Sequence, residues 1–208
     1  MGSRNSGNRR HWLAEQAARW MSEHAIDDPL LALRRVLARE GSAAPDRRLW
    51  PDAEEIRAAL QTYQRLFRGS SQARALHVRR KAALDAMRFF AAFRPCLVGA
   101  VLDGTADAHS PILLHLHADE PEGALAFLRE NDIPHRLGER TIRLDAQRQV
   151  PVPCASFQAD GLDWELWILP ANCERSAPLE CDGSTPMRRA NAGALQRLVS
   201  APDTPSEE

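Results

Sequence analysis

The chain has 208 residues, of which 44% are hydrophobic, and its formal net charge at pH 7 is −1. This apolar fraction is enough for a packed interior, and no run of about eighteen apolar residues is available to span a membrane. We therefore expect a cytoplasmic protein without a membrane partner, built as one domain of ordinary size or two small ones sharing a core.

Charge is divided unevenly along the chain. Residues 1–95 contain 18 Lys and Arg against 10 Asp and Glu, whereas residues 96–208 contain 9 against 18. Two interpretations are open: the two halves attract each other, or the first half presents a basic surface to phosphate or nucleic acid. A continuous basic face through Arg79, Arg80 and Lys81 would favour nucleic acid as the partner.

The first half of the chain is predicted to be helical. After a disordered tail at residues 1–10, apolar periodicity over residues 11–94 predicts a helical region with four helices. The fourth of these is predicted at residues 73–93. No internal repeat interrupts this pattern.

Helix starts are marked by capping residues at two places. Asp28 and Pro29 predict the start of the second helix, as an N-cap and a first-turn proline. Asp52 predicts the start of the third, because Glu55 follows it at the spacing of a capping box. Both signals are local, so the positions of these two helix starts follow from a few residues.

The pattern changes at Pro95, and residues 95–200 are predicted to form a sheet domain followed by a disordered tail at 201–208. Strands are predicted at residues 96–102, 112–118, 141–144, 152–158 and 162–169, the first of them in the centre of the sheet. Helices are predicted from Asp119 to about Asn131 and from Thr185 onward. The expected class is α+β, an N-terminal helical region packed with a mixed sheet and flanking helices.

The segment from Pro95 to Asp119 carries a recognisable motif, P-C-L-V-G-A-V-L-D-G-T-A-D-A-H-S-P-I-L-L-H-L-H-A-D. It resembles the nucleotidyltransferase motif of the polymerase-β-like superfamily, in which a buried strand, two spaced glycines and a serine precede the next strand. With A-L-D-A-M-R-F-F before it and A-P-L-E-C-D-G-S-T-P-M-R-R-A after it, it looks like uncharacterised bacterial cytoplasmic proteins described as predicted nucleotidyltransferases. The resemblance implies nucleotide-binding positions at Gly99, Ala100, Gly104, Thr105 and Ser110.

The catalytic carboxylates of that motif are missing. Its two metal-binding aspartates fall on Pro111 and Leu113, and the serine of its Gly-Ser pair falls on Ala100. Two-metal nucleotidyl transfer needs carboxylates to hold Mg²⁺ against the triphosphate. Since proline and leucine offer no such ligand, the resemblance implies the fold without the ordinary chemistry.

A rebuilt metal site is the alternative. His115 and His117 alternate on the second strand and share the face of Leu113, and in the superfamily a third carboxylate comes from a later strand. Asp163 or Glu165 is the candidate for that catalytic carboxylate. Imidazole suits zinc or manganese better than magnesium. The other interpretation is a pair of partly buried histidines hydrogen-bonded to neighbouring strands.

Three functions therefore stay open. The first is a degenerate nucleotidyltransferase-like domain that binds a nucleotide or a nucleic-acid end in an accessory or regulatory role. The second is an active metal-dependent nucleotidyltransferase that uses Mg, Mn or Zn in the rebuilt site. The third is a protein-interaction module whose helical half binds a partner protein. No other cofactor is expected, and the sequence leaves open whether the protein is an enzyme.

Overall fold

The computed structural model describes residues 3–24, 26, 28–40, 47, 50–107, 109–145, 147–180 and 185–200. The predicted tail at residues 201–208 lies outside the described residues. Two compact units divide the chain, Met1–Gln72 and Ala73–Glu208. Their boundary lies inside a helix, whereas the sequence pattern placed it at Pro95. No helix in the described ranges is long and apolar enough to cross a membrane.

The first unit is helical. It contains α1 (Ser3–His24), α2 (Pro29–Glu40) and the N-terminal part of α3 (Ala53–Phe89). The apolar side chains of these helices form one core cluster of Leu13, Ala14, Ala17, Ala18, Met21, Ala32, Leu33, Val36, Ile56 and Leu60. Helix α1 begins at Ser3, so it includes most of the stretch that composition predicted to be a disordered tail.

Both predicted capping signals are confirmed. The amides of Leu30 and Leu31 donate to Asp28 Oδ1 over 2.9 and 3.1 Å. At the start of α3, the Glu55 amide donates to Asp52 Oδ1 and the Asp52 amide donates to Glu55 Oε2, over 2.9 and 2.8 Å. Each bond satisfies an amide that has no partner inside its helix.

The predicted third and fourth helices are one continuous helix, α3. The predicted break falls around Gly69, and an interior glycine costs a helix about 1 kcal/mol relative to alanine. Burial before it, at Ile56 and Leu60, and after it, at Leu84 and Met87, outweighs that cost. The division into two units therefore falls within a single helix.

Five strands of the second unit form one mixed sheet. They are β1 (Cys96–Val98), β2 (Ile112–His117), β3 (Arg136–Arg143), β4 (Gln149–Ala159) and β5 (Leu162–Leu169). Their order is β1-β2-β5-β4-β3, with β2 and β5 parallel and the other neighbouring pairs antiparallel. The other α-helices are α4 (Gly99–Asp103), α5 (Pro121–Glu130) and α6 (Ala192–Ser200). The α+β class is confirmed.

The first strand differs from its prediction in both length and position. It ends at Val98 and lies at the edge of the sheet instead of its centre. Gly99 has a φ of +71°, which is incompatible with continued strand geometry, and the chain turns there into α4. The apolar run up to Leu102 is buried because α4 packs inward, and not because the strand continues.

The hairpin of β3 and β4 is longer than predicted. Pairing runs from Arg136 opposite Ser156 to Arg143 opposite Gln149, through residues without an alternating apolar pattern. The first residues of β4 pair with β3 alone, since the pairing of β4 with β5 begins at Cys154. Pro151 and Pro153 fall in that one-sided stretch, where a strand tolerates a missing amide. By contrast, β5 has the predicted bounds.

The last helix begins at Ala192, later than the predicted start at Thr185. Ala190 exchanges two backbone hydrogen bonds with Leu97, of 2.8 and 2.9 Å, which holds the preceding residues extended along β1. Asn191 then supplies the N-cap, because its Oδ1 accepts the Ala194 amide over 2.9 Å. An extended connection therefore occupies the predicted first turns of the helix.

The two faces of the sheet are covered differently. One face packs against α3, α5 and α6 in the main core, which includes Leu97, Leu114, Leu116, Leu128, Leu166, Ile168 and Leu195. The opposite face carries a smaller cluster of Ile142, Val152, Leu169 and Cys173. The predicted site residues of β2 and β5 lie on this second face, because they alternate with the core residues.

Candidate functional site

The glycine-containing turn after β1 is closed by its own hydrogen bonds. The carbonyl oxygen of Ala100 accepts the amides of Gly104, Thr105 and Ala106, the last two over 3.0 and 3.1 Å. Gly104 has a φ of +78°, as a glycine at a helix C-terminus commonly does. The predicted nucleotide-binding residues from Gly99 to Thr105 thus lie together, but the amides at the end of α4 are engaged within the turn.

Ser110, another predicted nucleotide-binding residue, forms side-chain hydrogen bonds within its own loop. Its hydroxyl accepts the Asp107 amide over 2.9 Å and donates to Asp107 Oδ1 over 3.1 Å. The same carboxylate oxygen accepts the His109 amide over 2.9 Å. The side chain of Ser110 therefore holds the loop in shape.

Arginines of α3 brace this loop. Arg79 donates to the Ser110 carbonyl over 3.0 Å. Arg80 donates to the carbonyls of Val101 and Leu102 over 3.1 and 3.2 Å. Two of the three basic residues proposed as a nucleic-acid surface thus point to backbone oxygens, and only Lys81 of that run is exposed. The continuous basic face is not formed.

The two histidines of β2 are deeply buried, each with about 1% of its surface exposed. His117 Nδ1 lies 2.7 Å from the Arg94 carbonyl, so that nitrogen carries the proton. The Nε2 atoms of His115 and His117 have no hydrogen-bond partner in the described part of the chain. The hydrogen bond of His117 goes to Arg94, which precedes β1, and not to a neighbouring strand as that interpretation expected.

Burial keeps both imidazoles neutral. Loss of solvation, together with the nearby charges of His117 and Arg189, lowers the pKa of His115 to about 3. Burial also lowers the pKa of His117, although its hydrogen bond to the Arg94 carbonyl opposes the shift. Both rings are consequently uncharged at neutral pH.

Trp167 lies between the histidines and the predicted catalytic carboxylate. Its ring stacks on His115 with the ring centres 5.3 Å apart, and its Nε1 donates to Glu165 Oε1 over 2.9 Å. The structure thus does not bring His115, His117 and a carboxylate together. Among the described residues, no three His, Cys, Asp or Glu side chains form a group that could hold a metal ion. The metal site stays a prediction.

The predicted carboxylates line an open cleft on the same face of the sheet. The cleft has a volume of about 580 Å³ and is lined by Pro111, Pro134, His135, Arg136, Arg140, Ser156, Phe157, Gln158, Asp163, Trp164 and Glu165. The parallel register of β2 and β5 places Leu113 opposite Glu165. Pro111 and Leu113, where the motif has its metal ligands, therefore lie beside Asp163 and Glu165.

Both carboxylates of the cleft already have partners. Glu165 Oε1 accepts Arg140 Nε over 2.7 Å, and this hydrogen bond raises the pKa of Arg140. Asp163 Oδ1 accepts Gln158 Nε2 over 2.8 Å. These bonds engage one oxygen of each carboxylate, Oε1 of Glu165 and Oδ1 of Asp163.

The cleft also contains cations that the sequence analysis missed. Arg136 and Arg140 lie on one face of β3, because residues an even number apart along a strand point the same way. Arg136 is exposed, and its guanidinium has no hydrogen-bond or ion-pair partner within the described ranges. The sequence shows these two arginines four residues apart, but the predicted strand began only at Thr141 and so did not include them.

No protein-family model matches the chain, and neither a curated protein nor a solved structure matches it. The resemblance to predicted nucleotidyltransferases thus remains a prediction from the motif. What the site can do has to be inferred from its own geometry.

Proposed function

We propose that the sheet unit binds the phosphate group of a nucleotide or of a nucleic-acid end in the cleft at Arg136, Arg140, Asp163 and Glu165. In this proposal the domain is a degenerate nucleotidyltransferase-like domain that binds without transferring a nucleotidyl group. Its role is accessory or regulatory.

The pairing of β2 with β5 carries the proposal. It places Glu165 next to Leu113, and Pro111 lines the same cleft as Asp163. The two positions that the motif associates with metal ligands therefore lie at the cleft, whereas the predicted nucleotide-binding residues from Gly99 to Ser110 do not line it. A volume of about 580 Å³ lies within the range of small-molecule sites, roughly 300 to 1,000 Å³.

The arginines favour an anionic ligand. Guanidinium groups bind phosphate through two parallel hydrogen bonds. Arg136 is exposed, and Arg140 has about half of its side-chain surface exposed while its Nε holds Glu165. The remaining nitrogens of Arg140 and the whole guanidinium of Arg136 are the groups that would meet a phosphate.

The engaged carboxylates favour binding over catalysis. Glu165 Oε1 accepts hydrogen bonds from Arg140 and Trp167, and Asp163 Oδ1 accepts one from Gln158. The active-transferase alternative would need these carboxylates and His115 to gather around a metal ion, although Trp167 lies between them. For these reasons we place binding without metal first and the rebuilt metal site second.

Calorimetric titration of the full chain with ATP, AMP and a 5′-phosphorylated oligonucleotide tests the proposal, with and without Mg²⁺, Mn²⁺ or Zn²⁺. We expect metal-independent binding that Arg136→Ala weakens about tenfold, since a hydrogen bond to a charged group contributes roughly 1.5 to 3 kcal/mol. Arg129→Ala is the matched control, because that arginine lies exposed on α5 outside the cleft.

Two outcomes would contradict the proposal. Binding that requires a metal and is lost in Glu165→Gln would instead support the active transferase with a rebuilt site. Absence of binding by every nucleotide would leave the protein-interaction module as the remaining hypothesis.

A further inference from the structure

A second cavity in the sheet unit is a groove between α3 and the hairpin of β4 and β5, with a volume of about 640 Å³. Along α3 its wall runs from His77 to Phe90, and Phe157 and Leu162 form part of the opposite wall. Val78 and Phe89 remain 48% and 45% exposed at its two ends. Val78 and Phe89 are therefore the apolar side chains that a partner in this groove would contact.

The α3 wall has a regular pattern. Val78, Lys81, Asp85 and Phe89 follow one another at spacings of three and four residues, so they lie on one face of the helix. The face extends over about 16 Å, from the helical rise of 1.5 Å per residue. Its ends are apolar, and its middle carries one positive and one negative charge.

The pattern is self-complementary under a twofold rotation. When two such helices lie antiparallel and cross at the level of residue 83, Lys81 of one copy faces Asp85 of the other, and the reverse pair forms as well. Val78 then lies near Phe89 of the second copy. A twofold interface requires this property, because the same patch contributes both halves.

We propose that this groove is the interface of a homodimer, in which the α3 face of each copy lies antiparallel to that of the other. Ala82 and Ala86, which follow the two charged positions and also line the groove, are small enough to let the helix backbones approach closely. The second copy also supplies an acceptor for Lys81, an exposed residue with no partner in the described part of its own chain. Asp85 Oδ1 accepts a hydrogen bond from Arg88 Nη1 over 2.9 Å in a solvent-exposed ion pair. A new interface can displace such a pair at little cost in free energy.

Sedimentation equilibrium of the full chain over a range of concentrations tests the interface, with Lys81→Glu and Asp85→Lys as variants. Each single variant places like charges opposite each other twice per dimer. We therefore expect the dissociation constant of the dimer to increase on the order of tenfold. In an equimolar mixture the two substituted side chains, which have opposite charges, face each other, and the native Asp85 of one variant faces the native Lys81 of the other. Both attractions are thereby restored, so we expect the mixture to form heterodimers with nearly wild-type affinity.

Glu130→Lys is the matched control, because it makes a charge reversal at an exposed position of α5 outside the groove. It should leave the dissociation constant unchanged. A wild-type chain that stays monomeric up to about 1 mM overturns the proposal. A wild-type dimer whose two variants do not recover affinity on mixing also overturns it, since that dimer must use another surface.

Discussion

Polar side chains at the two ends of strand β2 lie in opposite environments. At its start, Leu113 lies beside Glu165 at the edge of an open cleft, where Glu165 is paired with the half-exposed Arg140. At its end, His115 and His117 are buried, with one nitrogen of each ring unpartnered in the described part of the chain. One strand face therefore borders an open cleft at one end and holds a buried pair of neutral histidines at the other.

The largest expected effect is acid destabilisation through His115. Its folded pKa of about 3 lies below the ordinary value of 6.5, so the unfolded chain binds the proton first as the pH falls. Stability is fully present above pH 6.5 and falls as the pH drops toward 3, by about 4 kcal/mol over the window. Urea unfolding at a series of pH values measures this slope.

The variant His115→Leu sharpens that test. It removes the titrating group and an unpartnered buried nitrogen, so we expect a flatter pH profile with stability at pH 7 unchanged or higher. His109→Asn serves as the control, because that histidine is exposed. If the slope of stability against pH is unchanged in His115→Leu, protonation of His115 is not what destabilises the fold in acid.

The turn from β1 into α4 gives an intermediate effect. Gly99→Ala should destabilise the sheet unit by about 1 to 2 kcal/mol, because an L-residue at a φ of +71° is strained. The added methyl group would meet Leu113 Cδ2 at 3.8 Å, an ordinary contact, so the cost is conformational. Thermal unfolding measures it.

Gly123→Ala is the matched control for that change. Its added methyl group meets nothing within 4 Å, and Gly123 lies inside α5, where alanine is favoured by up to about 1 kcal/mol. The two substitutions should therefore shift the melting temperature in opposite directions. Equal shifts would mean that Gly99 does not adopt the left-handed conformation.

The smallest effect is expected at Glu165, which lies beside Leu113 at the start of β2. Glu165→Leu leaves the Trp167 indole without its acceptor, which should cost about 1 kcal/mol. It also frees Arg140 for a phosphate, so inorganic phosphate should bind more tightly than to the wild type. Glu165→Gln keeps an acceptor and separates the two effects: it should restore stability while retaining the gain in phosphate affinity. Unfolding measurements and phosphate titration check both.

Local signals predicted parts of this structure well. The caps at Asp28 and Asp52 and the bounds of β5 follow from hydrogen bonds and alternation within a few residues. Prediction failed where contacts distant in sequence decided the outcome. The bonds of Ala190 with Leu97 delay the last helix, and β4 extends β3 through polar residues.

The sequence by itself determined the α+β class, the helix starts at Asp28 and Asp52, and the two carboxylates of β5 as site candidates. Only the tertiary structure decided that Asp163 and Glu165 border a cleft with Arg136 and Arg140, and that Trp167 lies between Glu165 and His115. The reason is physical: periodicity and caps depend on neighbours along the chain, whereas the composition of a cleft depends on strand order and register.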